Sequence, residues 1–162
     1  MLKNKKVLIG GGIFFAVAFW FYIKPHYLDK KPVHVFTEAE IAAAPRPSIE
    51  IENLIFNLKS STTTPNYVKV TVALEFADPD HKYIKLKGEA IALANVAYKK
   101  EHNADLPKIL DLLTSLIGSR SVEEVATTEG REKLKDDLVV ALNKEFKHEK
   151  VENVYFATFI TQ

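Results

Sequence analysis

A chain of 162 residues, 47% hydrophobic and 27% charged, has room for one domain plus a tail and is too apolar to be largely disordered. Its net charge of +1 leaves no electrostatic footprint for nucleic acid. Setting aside Lys3, Lys5 and Lys6 turns the remainder to −2, which gives the rest no pull toward anionic lipid or phosphate. The absence of cysteine excludes disulfides, thiol catalysis and cysteine-based zinc sites, and leaves the compartment open.

Residues 1–6 form a short basic tail, and residues 7–23 run without a charge up to Lys24 and Pro25. A helix over that run spans about 26 Å, enough for a hydrocarbon core, so it is expected to be a single transmembrane anchor. Trp20 and Tyr22 stand near its far end, where amphipathic rings favour the interface. A cleaved signal peptide with Ala16-Val17-Ala18 as its small-residue site is the rival reading. Against it, the apolar run continues through Phe19, Trp20, Phe21 and Tyr22. Orientation is weakly set: Lys24, Lys30 and Lys31 nearly balance the near-side lysines, while the short tail and compact basic cluster favour an inside N-terminus. Gly10, Gly11 and Gly12 follow no strand and precede no Lys-Ser/Thr, so they are not a phosphate loop. Gly12 and Ala16 make a small-xxx-small pair, candidate positions for close packing by another membrane helix, against the plainer reading of small residues simply tolerated there.

Residues 24–47, with Pro25, Pro32, Pro45 and Pro47, read as an extended linker reaching up to ~75 Å, with one helical turn over 37–44. Thr37 and Glu40 have the spacing of a capping box. The domain is expected over 48–162. Ile49 and Ile51 alternate, then Leu54, Phe56 and Leu58 alternate in shifted phase, which predicts a strand with a bulge near Asn53. A loop at 60–66 leads to a second strand, with Val68, Val70, Val72, Leu74 and Phe76 on one face, so that the two strands pair as a hairpin.

Asp78-Pro79 resembles a helix entry and predicts a helix over 79–101. Asp105 is the expected N-cap of a second helix over 106–117, ended by Gly118. Ser121 and Glu124 form another capping box, followed by a last helix over 129–146 on which Leu134, Leu138, Leu142 and Phe146 recur every four residues. Its charged residues, Arg131, Glu132, Lys133, Lys135, Asp136 and Asp137, read as a solvated face. Residues 151–161 close as a strand with apolar residues in both phases, either covered on both sides or presenting one face to a partner. Strand, strand, helices, strand is the order of an α+β domain with a mainly antiparallel sheet.

Chemistry is sparse. His26, His34, His81, His102 and His148 hold no metal-ligand spacing, and no nucleophile-elbow or Walker pattern occurs. No catalytic residue, metal or cofactor is assigned.

Three passages carry a family resemblance. Phe56-Asn57-Leu58 resembles a family strand ending in "NL". Residues 119–135, S-R-S-V-E-E-V-A-T-T-E-G-R-E-K-L-K, resemble a regular stretch of the form "EEL" then "T-x-EG(K/R)E-x-LK". Residues 154–162, V-Y-F-A-T-F-I-T-Q, resemble a closing strand with a terminal Gln. The layout of tail, anchor, linker and domain is also similar to that of the flagellar basal-body-associated FliL family. The chain departs from that pattern in Leu110-Asp111, where an Arg-Asp pair is common, and in the length of the helix predicted after Pro79. The resemblance implies a stomatin/prohibitin-like fold in the periplasm, anchored in the bacterial inner membrane. It implies a non-catalytic partner of the flagellar stator that forms homo-oligomeric rings and supports rotation and motility. Two other expectations stand beside it: a membrane-anchored enzyme or ligand-binding sensor, and an assembly factor of another envelope machine.

Overall fold

The computed structural model describes residues 35–60, 64–147 and 149–162. The tail, the 7–23 anchor with Gly12 and Ala16, and the linker up to residue 34 lie outside them. Among the described residues no helix is long and apolar enough to cross a membrane. The compact unit is Glu38–Gln162. Its elements are α1 (Glu38–Ala43), β1 (Ser48–Leu58), β2 (Asn66–Phe76), α2 (Glu89–Glu101), a 3₁₀ turn (Asn103–Asp105), α3 (Leu106–Gly118), α4 (Val122–Ala126), α5 (Thr128–Glu145) and β3 (Val151–Thr161). They form an α+β domain around one antiparallel sheet in the order β1-β2-β3.

The central strand β2 sets the two faces of the sheet. Val68, Val70, Val72, Leu74 and Phe76 are all buried on one of them. Facing them from the helices are Ile109, Leu113 and Ile117 of α3 and Leu134, Leu138 and Leu142 of α5, all within the same apolar cluster. Spacings of four residues put each set on one helical stripe, and burial of these stripes is the main source of the domain's stability.

The phase shift in β1 is a bulge. Ile51 pairs with Val72 and Leu54 with Val70, so β1 spends one extra residue, and Asn53 absorbs it with φ 56°. Asn tolerates the left-handed region better than other residues with a side chain, which places the bulge there. The double phase of β3 has the same cause. Val72 pairs with Phe156 but Thr71 with Thr158, and Phe76 pairs with Val151 but Glu75 with Asn153. Ala157 and Glu152 are the extra residues. Val151, Val154, Phe156 and Phe159 therefore all reach the core side, while Tyr155 and Ile160 turn to the other face. The strand is covered on one side only.

One helix start and one helix cap differ from expectation. The helix predicted over 79–101 begins at Glu89. Asp78 does act as an acceptor, from the backbone N–H groups of Lys82 at 3.0 Å and Tyr83 at 2.7 Å, but it closes a loop turn. Tyr83 is buried there, and Gly88, at φ 53°, breaks the chain direction before α2. Asp105 precedes α3 without a side-chain capping bond, because the chain arrives through the 3₁₀ turn instead of an extended N-cap. The Ser121 capping box is present in full.

Candidate functional site

The stretch 119–137 forms a corner between α4 and α5 held by bonds among its own polar groups, with the buried Arg120 Nε left without a hydrogen-bond partner among the described residues. Ser121 Oγ accepts from the Glu124 N–H at 3.3 Å, and the Glu124 carboxylate accepts from the Ser121 N–H at 2.8 Å. Thr127 Oγ1 accepts from the Gly130 N–H at 3.0 Å, capping α5. Arg131 turns back and donates to the carbonyls of Val125 and Ala126 at 3.0 and 3.1 Å, satisfying the end of α4. Arg120 pairs with Asp137, and its backbone carbonyl accepts from Lys59 at 2.8 Å, tying the corner to the end of β1. A Cβ at position 130 would overlap the Glu124 carbonyl oxygen and lie 2.8 Å from its carbon, so only glycine fits where the two helices meet. Of the charges expected on a solvated α5 face, Arg131 and Asp137 thus work inside the corner; Glu132 and Lys135 do pair along the helix, at 2.7 Å.

A second cluster joins α2 to the turn before β3. The Tyr98 hydroxyl donates to one carboxylate oxygen of Glu149, and His102 Nε2 lies 3.3 Å from the other. The Tyr98 ring packs on His102 at 4.3 Å and on Phe76 at 5.3 Å. Burial, then the bond to Glu149 and its negative charge, push the Tyr98 phenol well above its usual range. A cavity of about 190 Å³ and a broader groove of about 690 Å³ flank this cluster. Of the polar residues that line them, Asp78 is engaged by its own loop and Glu149 by Tyr98 and His102. Among the described residues no trio of His, Cys, Asp or Glu stands at metal-binding geometry. His102 is therefore a structural partner of Glu149; His26, His34 and His148 fall outside the described residues.

The third region is bare. On the face of the sheet turned away from α3 and α5, the register sets Ile55, Lys69 and Ile160 in one row across the three strands, with Tyr67 in the next row. Ile55 is 67% exposed and Ile160 52%. Helix α2 is also open on one side: Leu93 and Val96 are 63% and 68% exposed, while Asn95, Tyr98 and Lys99 make its contacts to Ser48, Glu149 and the Glu50 carbonyl. The packing roles of Asn95, of Arg131 and of Asn143, which exchanges two 2.8 Å bonds with the backbone of Val151, were not signalled by the sequence. Each bonds a partner whose position depends on the tertiary fold; only the Asn143–Val151 separation of 8 residues hints at a local clamp.

The geometry defines a class: a small α+β domain whose polar clusters lock its own elements together and which leaves apolar residues exposed on its open sheet face and on α2. The family model described as "Flagellar basal body-associated protein FliL" matches residues 48–162, and the chain belongs to that family. The chain is also similar to "Flagellar protein FliL" of Aquifex aeolicus (strain VF5), 30% identical over 89 residues, which is 55% of each chain. The chain thus spans about half the length of the curated relative it matches. The family is described by its association with the flagellar basal body.

Proposed function

We propose that this chain is a non-catalytic inner-membrane component of the flagellar motor, which oligomerises around the torque-generating stator and supports rotation and motility. In this reading residues 1–6 are a cytoplasmic tail, 7–23 the single-pass anchor, 24–47 the linker and 48–162 the periplasmic domain. Gly12 and Ala16 provide a close-packing stripe within the bilayer. The anchor confines copies to one plane and raises their local concentration, so that modest contacts between domains suffice.

The observation that supports this best is the pairing of family membership with two uncovered apolar surfaces, the sheet face at Ile55 and Ile160 and the α2 face at Leu93 and Val96. Apolar patches left open on a small domain mark contact surfaces. The test is genetic and biochemical. Deleting the gene in a flagellated host lowers swimming speed under viscous load and reduces swarming, and stator subunits co-purify with the full chain from membranes. Unchanged motility under load, or co-purification with a different envelope complex only, contradicts it.

A further inference from the structure

Helices α2 and α3 are each 13 residues long and are held in different ways. Helix α3 sinks Ile109, Leu113 and Ile117 into the core. No residue of α2 is buried, and Tyr98 is its one side chain packed against the apolar cluster. What fixes α2 is polar. Asn95 Oδ1 accepts from the Ser48 N–H at 3.1 Å, and Asn95 Nδ2 donates to Ser48 Oγ at 2.8 Å. Lys99 Nζ donates to the Glu50 carbonyl at 2.5 Å, and the Tyr98 hydroxyl donates to Glu149. β1 is an edge strand, and the Ser48 N–H and Glu50 carbonyl are groups that its edge turns away from β2. Space flanks these bonds. A cleft of about 520 Å³ opens between α2 and β1, and the groove of about 690 Å³ lies between α2 and the 77–86 loop. Both ends of α2 are turns: Gly88, at φ 53° with no atom within 4 Å of where a Cβ would stand, and the 3₁₀ turn Asn103–Asp105.

We propose that α2 is a hinged cover over the outer edge of β1: it lifts as one unit, pivoting at Gly88 and the 3₁₀ turn, while the sheet, α3 and α5 stay folded. A handful of polar bonds beside open clefts competes with water and holds weakly. A fully buried apolar stripe such as that of α3 opens only when the core opens. The two helices therefore belong to different cooperative units. A 13-residue helix away from its support is marginal in water, so the lifted α2 loses its helix and its amides exchange. Lifting also bares the Ser48 N–H and the Glu50 carbonyl, which are groups by which a strand edge pairs with extended chain. The far end of the same edge does not move with α2, because the Lys59 N–H donates to the Arg120 carbonyl at the α4–α5 corner. The cover is a property of the single domain and holds whatever the domain assembles with.

Hydrogen exchange of the full chain in detergent micelles, at a series of urea concentrations below the unfolding transition, reads the lifting directly. The amides of α2 and of Ser48 exchange as one set, about a hundredfold or more faster than those of β2 and α5. Their urea slope is smaller, because lifting exposes little surface. Asn95→Ala removes two bonds that lifting breaks, and speeds the α2 set about tenfold. Thr127→Ala removes the α5 cap; it speeds the core set about fivefold and leaves the α2 set unchanged, because α5 stays folded when α2 lifts. One rate and one slope for α2 and the core, or a Thr127→Ala effect that reaches α2, means that the domain opens only as a whole. Unprotected α2 amides in the wild-type chain mean that the cover is never closed. An α2 set indifferent to Asn95→Ala means that these bonds do not hold it. Each of these results overturns the proposal.

Discussion

The α4–α5 corner and the open sheet face lie on one small domain and are built in opposite ways. At the corner, Ser121, Glu124, Thr127, Arg131 and Asp137 all have partners within the domain, and Gly130 fills a place no other residue fits. On the sheet face Ile55, Tyr67 and Ile160 stay 67%, 42% and 52% exposed, and Lys69 makes no ion pair among the described residues. The stretch of sequence that looks most like a motif is therefore a folding device. What the domain offers to other molecules is scattered over three strands and a helix. Substitution should separate the two, with the corner governing stability and the face governing assembly.

The largest effect is expected at the corner. Gly130→Ala forces the α5 start away from the Glu124 carbonyl and should destabilise by about 3 kcal/mol or more, read as a large drop in the urea midpoint. Next, Thr127→Ala removes the α5 cap and should cost about 1 kcal/mol, whereas Asp105→Ala, which removes no capping bond, should change stability by less than about 0.5 kcal/mol. Equal costs at the two positions would show that local residue type, not the bonds described, sets the energetics.

A third effect depends on pH. In the folded domain the Tyr98 phenol is held protonated above its usual range, while an unfolded chain ionises it near pH ~10. Its contribution is complete below that pH and is lost as pH rises past it, because the unfolded state gives up the proton first. Tyr98→Phe should cost about 1 kcal/mol at neutral pH through the lost bond to Glu149, and should make the unfolding midpoint less sensitive to alkali. Tyr83 and Tyr155 are shifted in the same direction by burial, so the sensitivity should shrink without vanishing. The smallest effect on stability belongs to the face: Ile160→Ser should stay within about 0.5 kcal/mol while lowering the oligomeric fraction.

Much of this was legible in the sequence where one residue's neighbours decide its structure. The alternation of Val68 to Phe76, the break at Asn53, the four-residue recurrence of Leu134, Leu138 and Leu142 and the Ser121 box all appear as expected. The helix after Pro79 starts only at Glu89 because Asp-Pro signals a turn as readily as a cap, and burial of Tyr83 selects the turn. The open face was half legible. Apolar residues in both phases of β3 allowed either double cover or an exposed face, and the bulges at Glu152 and Ala157 that decide between them depend on pairing with β2. Gly12 and Ala16 fall outside the described residues and remain a proposal for the bilayer.

The most direct measurement is swimming speed under viscous load in a deletion strain carrying Ile160→Asp at wild-type abundance. The substitution places a charge on the bare face and leaves the corner and core untouched. The account predicts a protein that accumulates and unfolds like wild type while speed under load stays at the level of the deletion. Full restoration of speed would contradict it.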